Sequence, residues 1–473
     1  MSDYHMIING REVAAEATFP VINPATEEVA AQCPKATEVH LDQAVAAARS
    51  AFPAWSERPG DERGAIIHQI GAAIEEHRAE LIALLTLEQG KPDTGFAGMG
   101  AAFEIGAALA WCHAAADLEL PVDVVQDNDE ARIEVHRKPL GVVASITPWN
   151  FPLMIAIWHV MPALRSGNTV ILKPSEYTPL TTLRFAEIIN ELLPPGVFNV
   201  VTGDGSLGAA MTNHLDINKV VFTGSTETGK KIMQNASCNL KRLTLELGGN
   251  DAAIVLPDVD VAAIAPKVFA TAMFNNGQTC AALKRLYVHE DIYEDMCDAL
   301  VALANNVTTA DGSTDPDFGP VQNKAQLAKV CAMADEARAS GARFLSGGEP
   351  QTGPGYFYPV TIVGDIADDT RLVREEPFGP ILPVMKFSDV EDALRRANDS
   401  PSGLGGSVWS GDPQKAAALA GRLECGTAWV NTHAMIQPDA PFGGAKESGI
   451  GVEFGRYGLE EYTNIQTVFI SKT

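Results

Sequence analysis

A single cysteine lies in the segment "NNGQTCAALK" (275–284), after amide, glycine and hydroxyl residues and before two alanines. A cysteine thiolate is a strong nucleophile, so Cys280 could form a covalent bond to a carbonyl carbon. A free cysteine is also among the residue types that are most often buried and inert. These ten residues alone favour the inert interpretation, and the rest of the chain must decide between the two.

The seven cysteines show no metal-binding or disulfide pattern. The chain contains no CxxC, no histidine stands at zinc-ligand spacing from a cysteine, and the number of cysteines is odd. This pattern predicts free thiols in a reducing, cytoplasmic compartment and no metal site. The start "MSDYHMIINGREV" has an early acid and no long apolar run, so we expect no signal peptide.

Length and charge restrict the architecture and the partners. The 473 residues are enough for two or three domains, and 35 basic against 60 acidic side chains give a formal net charge of −25. Such a surface repels nucleic-acid phosphates and anionic lipid, which excludes both as partners. The uncharged stretch between Lys138 and Arg165 is interrupted by Pro148, Pro152 and Pro162, so we expect no membrane-spanning helix there.

Glycines follow a predicted strand in "VVFTGSTETGKK" (220–231), where a helix begins. Backbone N–H groups at such a turn suit a phosphate. The spacing from Gly224 to Gly229 and Lys230 matches most of a P-loop, but Lys231 stands where the Ser/Thr magnesium ligand is required. Dinucleotide binding, an NTPase with an incomplete loop and a plain helix cap all stay open from this motif alone.

A lysine and an acid follow another predicted strand in "ILKPSEYTP" (171–179). Ligands bind outside the carboxyl ends of parallel strands, so Lys173 and Glu176 could face ribose hydroxyls there. A carboxylate in that place would repel an added phosphate, which favours NAD over NADP. A surface Lys–Glu pair is the alternative interpretation.

Short β-branched segments alternate with helical patterns from residue 139 onward. The runs "GVVASIT", "NTVILK", "VFNVVT" and "KVVFT" are continuous and apolar, which is typical of a parallel sheet covered on both faces. The alternation restarts after "RLTLEL" and "DAAIVL", which predicts a second α/β domain from about Gly248. Residues 119–138 instead predict two alternating strands around a polar turn, set apart as an arm.

Seven short motifs are spread over the chain in a definite order: "PWNFPL" (148–153), "KPSE" (173–176), "FTGSTETGK" (222–230), "LELGGND" (245–251), "GQTC" (277–280), "EEPFGP" (375–380) and "PFGG" (441–444). Together they make the chain resemble the aldehyde dehydrogenase superfamily. The segments "NPATEE" (23–28) and "YGLEEYT" (457–463) extend the similarity nearly to both ends.

The resemblance implies an α/β fold with a Rossmann-like parallel-sheet domain that binds NAD, with NADP as the other candidate cofactor. It places this domain over 1–118 and 140–247. A second α/β catalytic domain is expected over 248–450, and a small β oligomerisation arm over 119–139 and 451–473. Such an arm implies a homodimer or a homotetramer.

The resemblance also assigns catalytic roles. Cys280 matches the family nucleophile, whose addition to an aldehyde gives a thiohemiacetal that can release hydride. The side-chain amide of Asn150 and the backbone N–H of Cys280 match the donors that stabilise the oxyanion. Glu246 matches the base that activates water for thioester hydrolysis, which argues against a CoA-acylating relative.

Glu453, in "GVEFG", matches a second family carboxylate that is associated with proton transfer. The chain departs from many relatives at His159, where a lysine is common. Histidine titrates near neutrality, so His159 could relay a proton with Glu453. It could equally cap local backbone, and both interpretations stay open.

Two further groups of positions follow from the resemblance. The expected cofactor-binding residues are Thr147, Pro148, Trp149, Lys173, Glu176, Gly203, Gly224, Ser225, Gly229, Gly248, Glu376 and Phe378. The expected lining of the aldehyde tunnel is Phe151, Met154, Trp158, Thr279, Ala281, Met435, Ile436 and Phe442. The tunnel residues include no arginine, so a carboxylate-bearing semialdehyde has no counter-charge among them.

The sequence therefore predicts NAD-dependent oxidation of a small aldehyde, uncharged and either medium-chain or aromatic, to a carboxylic acid. A semialdehyde-specific dehydrogenase is the nearer alternative. Two alternatives belong to other classes: a cysteine acyl-hydrolase, which lacks a recognisable histidine partner, and a P-loop-like NTPase, which lacks its magnesium ligand.

Overall fold

The computed structural model describes residues 4–473, so residues 1–3 of the predicted first domain lie outside the described part. Within it, none of the helices is both long enough and apolar enough to cross a membrane. The helices are α1 (Glu38–Glu57), α2 (Gly60–Glu76), α3 (Arg78–Gln89), α4 (Ala101–Asp117), α5 (Pro152–Arg165), α6 (Leu180–Ile189), α7 (Gly205–Asn213), α8 (Thr226–Ala236), α9 (Val261–Ala272), α10 (Tyr293–Asn305), α11 (Lys324–Ala339), α12 (Arg371–Arg374), α13 (Val390–Asn398), α14 (Pro413–Ala420) and α15 (Gly455–Glu460).

The first large sheet is doubly wound. Its strands within residues 4–473 lie in the order β2 (Arg11–Val13), β1 (Met6–Ile8), β9 (Phe198–Val200), β8 (Thr169–Lys173), β7 (Val142–Ile146), β10 (Lys219–Thr223), β11 (Arg242–Glu246) and β21 (Gly449–Ile450). The strands from β9 to β11 pair in parallel, and the others pair antiparallel at the edges. The strand order reverses between β7 and β10, and ligands bind at such a switch point in open α/β sheets.

Helices bury both faces of this sheet. Val143 of β7 packs in a cluster with residues of α2 to α6, whereas Val142 and Ala144 pack in a second cluster with residues of α1 and α7. Successive strand residues point to opposite faces, so a strand that is buried on both must be apolar throughout. This explains why "GVVASIT" shows no polar alternation.

The second large sheet repeats this construction. Its strands within the described residues lie in the order β14 (Arg343–Ser346), β15 (Thr361–Gly364), β16 (Ile381–Phe387), β13 (Leu283–His289), β12 (Asp251–Val255), β18 (Gly405–Trp409) and β19 (Thr427–Val430). Neighbours pair in parallel, except β14 with β15. Ala252 and Ile254 face one hydrophobic cluster, and Ala253 and Val255 face another.

A three-stranded antiparallel sheet stands apart from the two large ones. β5 (Asp123–Asp127) pairs with β6 (Ala131–Pro139), and β6 pairs along its length with β22 (Thr463–Ser471). Apolar side chains are exposed on it, among them Val125 and Phe469. The remaining strands form two ribbons, which are β3 (Thr18–Ile22) with β4 (Val29–Pro34) and β17 (Ser402–Gly403) with β20 (Ala445–Lys446).

The predicted α/β fold with a Rossmann-like sheet is confirmed, and strand β10 coincides with the predicted "KVVFT". The sequence did not indicate the strands that extend the first sheet at its edges. One of them, β21, pairs with β11 although residues 449–450 were assigned to the second domain. The two-residue strand carries too few residues for a periodic pattern. The division into domains stays a prediction.

A buried ion pair fixes the turn between β7 and α5. Lys91 Nζ lies 2.5 Å from Glu104 Oε2, and both side chains are buried. Glu104 Oε1 accepts hydrogen bonds from the backbone N–H groups of Leu153 and Met154, in the first turn of α5. Lys91 Nζ also donates to the backbone carbonyl of Asn150. The pair therefore anchors both the turn and the start of the helix.

The substitution Lys91→Met should lower the thermal unfolding midpoint markedly, because it leaves the Glu104 carboxylate buried without its partner. Removing one member of a buried ion pair costs about 3–5 kcal/mol, whereas exposed pairs contribute little. Lys231→Met is the matched control, since it breaks the exposed pair with Glu227. Calorimetry of both variants tests the difference, and equal midpoints would contradict an anchoring role for Lys91.

Candidate active site

Cys280 lies in the loop between α9 and β13, and the backbone of this loop is unusual. Asn275, Asn276 and Gly277 all have positive φ angles, of 50°, 58° and 70°. A Cβ atom on Gly277 would lie 2.1 Å from the carbonyl oxygen of Gly379. Glycine and asparagine tolerate the left-handed region best, which explains "NNG" before the cysteine. The nucleophile loop and the "EEPFGP" segment are therefore in direct backbone contact.

Hydrogen bonds also connect this loop to the turn after β7. The Asn275 side-chain amide donates to the Asn150 carbonyl at 2.9 Å, and the Asn150 side-chain amide donates to the Gln278 carbonyl at 2.9 Å. An amide nitrogen carries two N–H groups, and the second one on Asn150 has no acceptor among residues 4–473. The loop thus fixes the plane of the Asn150 amide and leaves one donor for another acceptor.

The Cys280 thiol is half-buried among charges of both signs. The pKa of this thiol is raised to about 12, mainly by burial; Lys284 lowers it, and Glu376, Glu246 and Asp251 contribute to the rise. The thiolate is the nucleophilic form, so the thiol is mostly protonated in this state. Activation of Cys280 therefore requires additional positive charge beside it.

Two buried carboxylates, those of Glu246 at the end of β11 and of Glu453, lie close to each other. Burial, and then the nearby Glu453, raise the pKa of Glu246 well above its ordinary value. Neither carboxylate oxygen of Glu246 accepts a hydrogen bond within the described part of the chain. His159 Nε2 lies 3.2 Å from Glu453 Oε1 and 3.0 Å from Thr223 Oγ1, while His159 Nδ1 lies 3.0 Å from Ser145 Oγ. His159 thus contacts side chains that could exchange protons with it.

A cleft of about 160 Å³ opens at the switch point between β7 and β10. It is lined by Pro148, Trp149, Asn150, Thr223, Gly224, Ser225, Leu247, Gly248, Cys280, Gln326, Lys329, Glu376 and Phe378. Most of these residues were predicted as cofactor-binding or catalytic. Sequence reasoning missed Thr223, Leu247, Gln326 and Lys329. The first two lie within recognised motifs, whereas Gln326 and Lys329 lie in α11, for which no motif was recognised.

Glycines keep this cleft open. A Cβ atom on Gly248 would lie 2.5 Å from Glu376 Oε2, and one on Gly224 would lie 2.4 Å from the Phe222 ring. Ser225 caps α8, since its hydroxyl accepts a hydrogen bond from a backbone N–H of the first turn. The unpaired N–H groups at a helix start suit a phosphate, so the residues present fit a dinucleotide.

The predicted pair Lys173 and Glu176 lies apart from the cleft. Lys173 Nζ is buried and donates to the carbonyls of Pro174 and Gly203, and it lies 4.0 Å from Glu176 Oε2. Glu176 lines a separate cavity of about 410 Å³, together with residues such as Lys35. Lys173 therefore fixes the backbone around Gly203.

Other predicted positions do not line the cleft but pack near the elements that form it. A Cβ atom on Gly229 would lie 2.6 Å from the Leu247 side chain, so this glycine lets α8 pack closely. Thr147 is buried after β7, and its hydroxyl has no hydrogen-bond partner within residues 4–473. Lys230, which a P-loop would place over a phosphate, is exposed and pairs with Glu447 at 2.9 Å.

The predicted tunnel residues mostly form one hydrophobic cluster at the thiol. The buried members are Phe151, Met154, Trp158, Ala281 and Phe442, and Ile436 and Cys280 pack against them. Thr279 is also buried, and its hydroxyl donates to the Phe274 carbonyl. Met435 does not join the cluster, because its side chain is 56% exposed.

Sequence reasoning missed several aromatic members of this cluster, namely Trp111, Phe274, Trp429 and Phe454. The Trp158 ring lies 4.8 Å from that of Phe454 and 5.4 Å from that of Trp111, measured between centroids. Phe274 stands next to a recognised segment and Phe454 lies within "GVEFG", which was a usable signal. Trp111 lies in α4 and carried no such signal.

Comparisons with known proteins cover nearly the whole chain. Residues 12–468 match a family model described as the aldehyde dehydrogenase family. Aldehyde dehydrogenase 1A1 of Oryctolagus cuniculus is 37% identical over 99% of this chain and 94% of its own length. An aldehyde dehydrogenase of Enchytraeus buchholzi is 40% identical over 96% of this chain and 92% of its own.

Solved structures are similar over the same extent. The NAD⁺ complex of an aldehyde dehydrogenase from Bacillus cereus has a TM-score of 0.96 and 39% identity, covering 99% of this chain and 97% of that one. A betaine aldehyde dehydrogenase variant from Staphylococcus aureus, in complex with NAD⁺, has a TM-score of 0.95 and 33% identity, covering 100% of this chain and 96% of that one. Motifs, fold and comparisons agree along the chain, which therefore belongs to the aldehyde dehydrogenase family.

Proposed function

We propose that this chain uses NAD to oxidise an uncharged medium-chain or aromatic aldehyde to the carboxylic acid, with Cys280 as the covalent nucleophile. The position of Cys280 carries the proposal. This residue lines the cleft at the strand switch point and also packs against the aromatic cluster. One side of the thiol suits a dinucleotide and the other suits an apolar aldehyde.

The cleft supports NAD as the cofactor. Gly224 and Gly248 leave space where a Cβ atom would collide, and α8 begins at the same point. Glu376 and Phe378 line the cleft and would hold the nicotinamide ribose and ring. The NAD⁺ complex of the Bacillus cereus relative supports NAD as the cofactor. When bound there, the oxidised nicotinamide would supply the hydride acceptor and a positive charge.

In the first half of the proposed reaction, the Cys280 thiolate adds to the aldehyde carbon and the aldehyde oxygen becomes an oxyanion. The free N–H of the Asn150 amide and the backbone N–H of Cys280 stabilise that charge, and one such donor contributes about 3–4 kcal/mol. Asn150 is held in advance by its bonds to Gln278 and Lys91. Collapse of the oxyanion expels hydride and leaves a thioester on Cys280.

In the second half, Glu246 takes a proton from a water molecule whose oxygen attacks the thioester carbon. The carbon–sulfur bond breaks, the acid is released and the thiolate is restored. Burial raises the pKa of Glu246 above its ordinary value, which makes its carboxylate a stronger base toward the water. Glu453 and His159 lie behind Glu246 and would carry the proton onward, so we propose the relay interpretation of His159.

We also propose the remaining organisation as predicted from the sequence. The chain is a cytoplasmic enzyme whose NAD-binding domain covers 1–118 and 140–247 and whose catalytic domain covers 248–450. The arm of 119–139 and 451–473 joins copies into a homodimer or homotetramer. The exposed apolar side chains Val125 and Phe469 on that arm support this role, because a partner would bury them.

Purified protein with NAD should oxidise hexanal and benzaldehyde faster than succinic semialdehyde, because the predicted tunnel offers no counter-charge to a carboxylate. Nicotinamide absorbance in steady state measures the rates. Cys280→Ala should lower them by roughly a thousandfold or more. Aldehyde-dependent reduction that survives this substitution would overturn the mechanism, and preference for the semialdehyde would overturn the substrate class. Parallel assays with NADP test the cofactor preference attributed to Glu176.

Glu246→Gln should form one equivalent of NADH per active site and then stop, because glutamine cannot take the proton from water. Stopped-flow absorbance resolves this burst. In the unsubstituted enzyme, hydrolysis should slow as the pH falls through the raised pKa of Glu246, since the protonated carboxyl is no base. Sustained turnover by the variant is the result that would contradict this assignment.

His159→Gln should slow turnover at low pH more than at high pH. At low pH the proton on Glu246 needs the relay through Glu453, whereas at high pH hydroxide removes it directly. The pH dependence of kcat measures the effect, and His68→Gln, a change at an exposed histidine on α2, is the control. If His159→Gln and His68→Gln show the same pH–rate profile, the proposed proton relay through His159 is contradicted.

A further inference from the structure

Lys284 lies four residues after the nucleophile, at the start of β13, and no motif indicated it. Its side chain is 3% exposed, and its Nζ lies 2.8 Å from Glu376 Oε1. The same Nζ donates a hydrogen bond to the backbone carbonyl of Cys280. One buried ammonium group therefore touches both the nucleophile segment and a carboxylate of the cofactor cleft.

The other charges near the thiol oppose this cation. Glu376, Glu246 and Asp251 disfavour the Cys280 thiolate, and Lys284 favours it. The ring of Phe378 lies 5.8 Å from Lys284 Nζ, on the side of the cleft. Lys329 also lines the cleft and interacts with Glu376. In this set, Lys284 is the cation in contact with the Cys280 backbone.

We propose that Lys284 is a positioning residue that ties the Cys280 loop to the Glu376 carboxylate and sets the fraction of the nucleophile present as thiolate. The inference rests on the proposed function, because that function makes Cys280 the nucleophile and gives Glu376 to the cofactor. An opposite charge within about 4–6 Å favours an ionised group, and more strongly where water is excluded.

The pairing also links the cleft to the nucleophile. Glu376 shares the positive charge of Lys284, which reduces the effect of that charge on the thiol. Ribose hydroxyls of a bound cofactor would compete with Lys284 for the Glu376 carboxylate. A cofactor in the cleft would then weaken the Lys284–Glu376 pair, so the ammonium charge would stabilise the Cys280 thiolate more strongly. The nucleophile would therefore be most reactive when the hydride acceptor is bound.

Alkylation of Cys280 by iodoacetamide in cofactor-free protein tests the proposal. The thiolate displaces iodide, so the rate at each pH reports the thiolate fraction. Rates are measured between about pH 6 and pH 10, a range that brackets ordinary thiol titration. Peptide mass spectrometry follows Cys280 separately from the other cysteines, and circular dichroism checks that each variant is folded.

Lys284→Met should alkylate about tenfold more slowly over this range, which corresponds to a thiol pKa higher by about one. Lys284→Arg keeps the charge and should restore most of the rate. Lys230→Met, which breaks the exposed pair with Glu447, is the matched control and should alkylate like the unsubstituted protein. Glu376→Gln should alkylate faster than the unsubstituted protein, because it removes the carboxylate that shares the ammonium charge.

An unchanged rate in Lys284→Met, or an equal loss in Lys230→Met, would overturn the proposal. A rate that falls in Glu376→Gln would also overturn it, even if Lys284→Met does not fold. The assay contains neither cofactor nor aldehyde, so its result is independent of the proposed function. If the unsubstituted protein oxidises aldehydes and Lys284→Met alkylates at the unchanged rate, the role proposed for Lys284 is wrong while the proposed function stands.

Discussion

The buried ion pair between Lys91 and Glu104 is the interaction on which the geometry of the site depends. Glu104 binds the first N–H groups of α5, and Lys91 binds the carbonyl of Asn150 just before that helix. The turn presents the proposed oxyanion donor, and the helix presents predicted tunnel residues such as Trp158. Burying either charged side chain without the other would cost several kcal/mol. The two side chains therefore stay paired and hold the turn and the start of α5 in one arrangement.

Exclusion of water has opposite effects on the two proposed catalytic groups. It raises the pKa of Glu246, which makes the proposed base more basic. It also raises the pKa of Cys280, which suppresses the nucleophile. The site therefore needs a local cation that lowers the pKa of the Cys280 thiol without lowering that of Glu246. Lys284 satisfies this requirement because it contacts the cysteine backbone directly.

The sequence predicted those parts of the molecule that local patterns encode. Continuous apolar strands gave the two-sheet α/β fold, and short motifs brought Cys280, Asn150 and Glu376 to one cleft. Residues that act through tertiary contact were not predictable. Lys91, which follows α3, and Glu104, in α4, pair beside the β7–α5 turn without a motif. The exposed side chain of Met435 follows from a loop conformation in which its backbone carbonyl binds Trp429.

The close approach of Gly277 to Gly379 has a consequence for motion at the site. Side-chain contacts can be rearranged by rotamer changes, but a contact between two main chains has no such freedom. The segment that carries the thiol and the segment that carries Phe378 must therefore shift as one body. A displacement of either segment is transmitted to the other, which couples the position of the proposed nucleophile to that of the ring proposed to contact the nicotinamide.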